Sequence, residues 1–354
     1  MSVEEESAPP PQKPEDRLIE IESPPDAEER RHATSDDLIQ TIHDSADKLA
    51  RDHTSRGDLK LLSRAIRELR YAFRVFQPYR RRRKVTVFGS ARTPPEDPSY
   101  QQAVAFGKAM AAHDWMVVTG AAQGIMEAGH VGAGKEHSMG INIMLPFEQS
   151  ANPVIAGDPK LVHMKYFFTR KLMFVKECDA LVCCAGGFGT LDEALEVITL
   201  LQTGKRDMVP VVFLDAPGDT YWKFFDQFVR EHLLKRKLIS QEDLSLYRVT
   251  DSAEQAVAEV LGFFHKYHSM RYVKKELVFR LQQPLEPKLV DDINQAFQDI
   301  ITEGKFHQRG ALSAEKDEPE LAALPRLTFH FNRRSLGRLR QLIDAINSGQ
   351  ISEH

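Results

Sequence analysis

The sequence predicts an α/β protein: a doubly wound, Rossmann-like parallel sheet with an N-terminal helical arm and a small C-terminal α+β appendage. Three observations carry this. Between residues 84 and about 268, short strands that are apolar throughout alternate with helices, the signature of a parallel sheet covered on both faces. Three of those strands run into small or glycine-rich turns that open a helix. The flanking segments change texture, with helical periodicity before the sheet and mixed strand and helix patterns after it.

Residues 1–34 mix Pro, Glu, Asp and Ser with few large apolar side chains and are expected to be disordered. A helical arm follows over 35–83. Ser35 is a candidate N-cap, and Leu38, Ile42 and Leu49 recur near helical spacing. After Gly57 a second helix places Leu59, Leu62, Ile66, Leu69, Phe73 and Phe76 on one face until Pro78 ends it. The run Arg80-Arg81-Arg82-Arg83-Lys84 reads either as a patch for phosphate or nucleic acid or, by preference, as a solvated charge run ahead of a buried strand.

Strands are then expected at 85–88, 115–118, 140–145, 161–164, 180–184 and 209–214. Helices are expected at 100–112, 125–135, 168–178, 191–203 and 221–234. The appendage, 269–354, shows strand-like stretches at 276–281 and 326–331 and helical ones at about 287–302 and 334–347.

A chain of 354 residues with 42% apolar and 28% charged residues can bury a sizeable core. Its net charge of −4 argues against a dedicated nucleic-acid binder. The three cysteines, Cys178, Cys183 and Cys184, have neither a disulfide nor a zinc spacing and lie in or beside an apolar run, so buried reduced thiols are expected. The N-terminal stretch has no apolar signal core, and no run approaches the ~18 apolar residues of a membrane span. The expected location is the cytoplasm, with no membrane partner.

Ligands of an open parallel sheet bind beyond the carboxyl ends of its strands. The three ends of interest are Gly89-Ser90-Ala91-Arg92, Thr119-Gly120-Ala121-Ala122-Gln123-Gly124 and Ala185-Gly186-Gly187-Phe188-Gly189-Thr190. Each precedes a helix whose first amides lack partners and whose dipole favours an anion. A phosphate at 187–190 is physically reasonable, although tight strand-to-helix turns use glycine anyway. The loops match neither G-x-G-x-x-G nor G-x-x-x-x-G-K-[ST], which disfavours a dehydrogenase and a P-loop nucleoside triphosphatase. Asp192 and Glu193 lie about 100° apart on a helix, so only one can face the site. Arg170 could clamp a phosphate or a base edge with its planar fork.

With these residues in hand the sequence resembles the LOG family, the cytokinin riboside 5′-monophosphate phosphoribohydrolases and related nucleotide nucleosidases formerly labelled lysine decarboxylases. The likeness rests on Phe88-Gly89-Ser90-Ala91-Arg92, GINIMLPFEQ at 140–149, FFTRKLMFVK at 167–176, AGGFGTLDE at 185–193 and Gln202-Thr203-Gly204-Lys205, and covers about 84–235. The resemblance implies hydrolysis of the N-glycosidic bond of a nucleoside 5′-monophosphate, with no cofactor and no metal. It implies Arg170 and Glu193 as the catalytic pair. It also implies a nucleotide site formed by Gly186, Gly187, Gly189, Thr190, Ser90, Arg92, Gly120, Gly124, Glu127 and Lys171, in a homodimer.

Two positions depart from the family pattern. Ala185 replaces a proline, and Gly120-Ala121-Ala122-Gln123-Gly124 stands where G-G-G-P-G is usual. Side chains at 121–123 could narrow the pocket or block catalysis. The competing reading is therefore a non-catalytic nucleotide-binding sensor of the same fold. A nucleic-acid scaffold using residues 80–84 is a third, which steep salt dependence of binding would reveal.

Overall fold

The computed structural model describes residues 35–144 and 150–351. The expected tail at 1–34 and the end of the 140–149 motif lie outside the described residues. The chain divides into two units, the first ending at Lys60 and the second starting at Leu61.

In the first unit, helix α1 (Ser35–Arg51) leads to the opening turn of α2 (Arg56–Phe76). Leu38, Ile39 and Ile42 of α1 are exposed. Asp58 accepts a hydrogen bond from the Ser55 hydroxyl (2.7 Å), and the Asp58 amide donates back to that hydroxyl (3.2 Å), so Ser55 caps α2.

The second unit is built on seven parallel strands: β1 (Lys84–Phe88), β2 (Met116–Thr119), β3 (Ser138–Ile143), β4 (Leu161–Met164), β5 (Ala180–Cys184), β6 (Val211–Leu214) and β7 (Arg248–Thr250), in the spatial order β4-β3-β2-β1-β5-β6-β7. The chain steps outward from β1 to β4, then returns to lay β5 on the other side of β1, with Thr86 opposite Leu181. The order reverses between β1 and β5, where a doubly wound sheet opens its ligand crevice.

Strands β1, β2, β3, β5 and β6 are buried at every position, which explains why apolar residues predominate in them and run unbroken through β5 and β6. Alternate residues feed opposite faces. Val85, Val87, Val117 and Val182 meet Phe106 and Met110 of α3 (Pro98–Ala112), Ile125 and Ala128 of α4 (Ile125–His137), and Val260 of α8 (Ala253–Phe263). Phe88, Met116, Leu181 and Phe213 meet the other layer. That layer holds Phe76 of α2, Phe174 of α5 (Phe167–Glu177), Val197 of α6 (Phe188–Gln202) and Trp222 of α7 (Tyr221–Phe228).

The same apolar cluster runs on into the C-terminal sheet. That sheet comprises β8 (Tyr267–Val273), β9 (Glu276–Leu281), β10 (His307–Arg309) and β11 (Arg326–Phe329), antiparallel in the order β10-β11-β9-β8. Helix α9 (Pro287–Ala296) lies between β9 and β10 in sequence, and α10 (Leu336–Ser348) follows β11. Buried Glu315 accepts from Arg280 (3.0 Å) and Arg326 (3.0 Å), so neither guanidinium is left without a counter-charge. Asn347 of α10 accepts the amides of Lys266 (2.8 Å) and Tyr267 (3.0 Å), joining the appendage to the end of α8.

Several expectations shift. Helix α6 starts at Phe188 rather than 191, because Gly187 sits at its N-cap and Gly189 and Thr190 form its first turn. The helix expected over 221–234 is α7 followed by a wider π-helical turn, Val229–Leu234. The helix expected to reach 302 stops at Ala296. Elements β7, α8, β8 and β10 had no counterpart in the sequence reading; the strands among them are short or mix polar residues into the ladder. The basic run is not simply solvated. Arg82 pairs with Asp114 just ahead of the neighbouring β2, while Arg83 pairs with Asp179 (3.1 Å) and Lys84 is buried beside Glu177 (3.7 Å), because β5 begins next to β1 and brings those two acids there. All three cysteines are buried and outside any disulfide.

Candidate active site

The loops after β1, β2 and β5 interlock through backbone contacts. The Ser90 amide donates to the Ala185 carbonyl (3.1 Å), and the Ile125 amide donates to the Ser90 carbonyl (3.0 Å). Within the first loop, the Arg92 amide donates to the Ser90 hydroxyl (3.0 Å), and the Arg92 side chain is exposed. Gly124 has φ +63°, and a Cβ there would sit 2.3 Å from the Ser90 carbonyl oxygen, so only glycine fits. At Gly120 a Cβ would strike an Arg170 guanidinium nitrogen at 2.3 Å. The structure thus brings the Gly120–Gly124 loop directly against Arg170. Glu127 is half-buried in the first turn of α4.

Around the β5 loop the glycines divide into two kinds. A Cβ at Gly186 would lie 2.2 Å from the Thr190 hydroxyl, so this glycine serves close packing and Thr190 is buried against it. A Cβ at Gly187 or Gly189 would meet nothing within 4 Å. Those two leave open space over the first amides of α6, which have no carbonyl partner inside the helix and lie at its positive end.

Helix α6 turns Glu193 inward, where it is 7% exposed, and leaves Asp192 on the surface. Burial pushes the Glu193 carboxyl up to about 7, against the pull of Lys171 and Arg170, and Glu196 and Asp192 add to the rise. Lys171 bridges Asp192 (2.7 Å) and Glu196 (3.1 Å). Burial alone would lower its pKa, but those two partners outweigh it and hold the ammonium above its usual range. Arg170 donates from Nε to the Ile141 carbonyl (3.0 Å) and lies over the Phe174 ring (5.2 Å). Its fork is thereby aimed from α5 across the end of β3.

Several residues that shape the site escaped the sequence reading. Ala121 has φ +60°, a left-handed conformation unusual for alanine. The loop is held there by neighbours: the Ala121 amide donates to the Thr119 hydroxyl (3.0 Å), while Asn152 donates from its backbone to the Ala121 carbonyl (2.8 Å) and from its side chain to the Ala122 carbonyl (3.1 Å). Behind them His130 is fully buried, and desolvation pushes it down to about 4, so the ring is neutral. With Nε2 assigned the proton, it donates to the Met139 carbonyl (3.0 Å) and accepts from Asn152 at Nδ1 (3.2 Å). The Ala121 methyl points into a small apolar cluster with Ile155 and Leu161. It therefore does not occupy the crevice, the outcome that the departure from G-G-G-P-G left open. On the other flank, the Tyr221 hydroxyl donates to the Gly186 carbonyl (2.7 Å).

At the switch point of this Rossmann-like, doubly wound sheet the structure gathers the open start of α6, the Arg170 guanidinium and the buried Glu193 carboxyl. Residues 119–260 match a family model described as "Possible lysine decarboxylase". The chain is 36% identical over 100 residues to a probable cytokinin riboside 5′-monophosphate phosphoribohydrolase of Arabidopsis thaliana, covering 28% of this chain and 48% of that protein. It is 30% identical over 162 residues to one from Oryza sativa subsp. japonica, covering 43% and 64% respectively. The chain thus spans about half to two thirds of the length of these relatives. The molybdenum cofactor carrier protein of Chlamydomonas reinhardtii is similar at a TM-score of 0.36 and 23% identity, over 51% of this chain and 97% of that one. Over its parallel-sheet domain the chain is thus similar to the LOG phosphoribohydrolases.

Proposed function

We propose that the protein hydrolyses the N-glycosidic bond of nucleoside 5′-monophosphates, releasing the free base and ribose 5-phosphate. The observation that carries this reading is the buried Glu193 carboxyl, titrating near neutrality one turn beyond an open, anion-accepting helix start. The 5′-phosphate would rest on the amides at 187–189, with Ser90, Arg92, Gly124 and Glu127 bounding the rest of the nucleotide.

Cleavage of the bond between C1′ and the base nitrogen develops oxocarbenium-like positive charge on the ribose. The Glu193 carboxylate would stabilise that charge and take a proton from the water whose oxygen bonds to C1′. The bonding electrons leave with the base, which gains a proton as it departs, and Arg170 holds the nucleotide in line. The family model's older description fits the residues less well. A decarboxylase working through a Schiff base needs an amine that deprotonates readily, whereas Lys171 is held protonated between two carboxylates. Of the side chains at 121–123, that of Ala121 turns away into the cluster with Ile155 and Leu161, which removes one of the grounds for the sensor reading.

The test is a panel of nucleoside 5′-monophosphates and the matching nucleosides, with chromatography for released base. The expected outcome is release from the monophosphates alone, abolished in Glu193→Gln while calorimetry shows nucleotide affinity retained. Calorimetric binding without release by the wild-type protein would favour the sensor.

A further inference from the structure

Helix α5 presents two cations, Arg170 and Lys171, close to its N-terminus, where the helix dipole disfavours them. It is only 11 residues long, and its N-cap Tyr166 makes no side-chain capping bond. Short helices of this kind depend on partners from outside. The partner here comes from α2, outside the stretch matched by the family model. Glu68 is 5% exposed and spends both carboxylate oxygens at the start of α5. One accepts the Lys165 amide (2.9 Å) and the Arg64 Nε (2.8 Å). The other lies 2.9 Å from the Thr169 hydroxyl, whose single proton it shares with the Tyr166 carbonyl, also at 2.9 Å. Thr169 directly precedes Arg170. A buried carboxylate therefore ties the residue before the N-cap to the third residue of the helix, bracing the start of α5 from outside.

We propose that Glu68 is a positioning residue for Arg170, bracing the start of α5 from a neighbouring helix so that the guanidinium keeps its bond to the Ile141 carbonyl and its aim at the crevice. This inference rests on the nucleotide-hydrolysis reading for its kinetic consequence. Its structural consequence, order at the start of α5, does not depend on that reading. Glu68 touches neither the open amides of α6 nor Glu193 among its recorded bonds, so its action passes through α5.

Wild type, Glu68→Ala and Glu68→Gln are compared by steady-state base release and by hydrogen–deuterium exchange of the intact chain. In the alanine variant, exchange over residues 165–170 is expected to accelerate at least tenfold while the central strands keep their protection. Its kcat should fall at least tenfold, with KM moving less than threefold. Glutamine retains an acceptor for the Lys165 amide and should recover most of kcat. The proposal is overturned if the alanine variant keeps kcat within twofold of wild type. It is equally overturned if exchange rises uniformly through β1 and β5, since that is general loosening. Should the wild-type protein release no base from any nucleotide, the hydrolysis reading fails on its own. Exchange at 165–170 then decides the matter, and unchanged protection there would reject Glu68 as the brace of α5.

Discussion

In the proposed reaction Glu193 would couple activity to stability through one proton. Its carboxyl titrates near 7 in the folded protein, against 4.5 for an ordinary glutamate. Between those values the native state binds more protons than the unfolded chain, so this group's contribution to stability is lost as pH rises through that window. Replacing it with glutamine removes the dependence. Glu193→Gln should be more stable than wild type at pH 8, by on the order of 1–3 kcal/mol, with the gap closing by pH 4; urea unfolding at the two pH values measures this. Turnover should run the opposite way. If the carboxylate is the working form, wild-type base release climbs through an inflection near pH 7. A flat profile between pH 5 and 9 would remove Glu193 from that role.

The helices and strands set which parts of this were readable. Strand β5 was legible to its last residue, because Ala180–Cys184 is an unbroken apolar run closed by glycines, and the turn chemistry that places the crevice is equally local. Contacts made at long range left no such mark. Glu68 reads in sequence as one more acid on a charged helix, and Tyr221 as an ordinary first residue of α7. Asn152 and His130 become partners only when β2 and β3 pair. Tyr221 offers a test at this level. Its hydroxyl ties α7 to the Gly186 carbonyl across 35 residues of sequence, and a bond of this kind is worth about 1 kcal/mol. Tyr221→Phe should loosen the phosphate turn and raise KM for the monophosphate by about fivefold, as 1 kcal/mol corresponds to roughly that ratio, leaving kcat near wild type. An unchanged KM would show that the turn holds without it.

At the scale of the whole molecule, the C-terminal segment is fastened to the sheet domain by helix α10. A Cβ at Gly337 would sit 2.3 Å from the Glu242 carbonyl carbon, so backbone meets backbone there. Arg340 pairs with both Glu259 and Asp344, and Gln341 donates to the Ser245 hydroxyl (2.9 Å). Gly337→Ala must push α10 outward and should lower unfolding stability by about 1–3 kcal/mol, with the turnover of the folded fraction preserved because this contact reaches α6 at its C-terminal end, where Gln202 donates to Asp243 (2.9 Å), and not at the end that holds Glu193. A thermal melt paired with a low-temperature assay would check both halves. One feature of β5 has a practical side. Cys183 and Cys184 sit on the strand that delivers the glycine-rich turn at 185–190, buried, with burial pushing the Cys184 thiol up to about 12 and that of Cys183 well above its ordinary range. Thiolate is the reactive form, so alkylating reagents find no target in the closed fold. The rate at which they slowly succeed is a clock for opening of the central sheet, and the site's own floor carries its probe of unfolding.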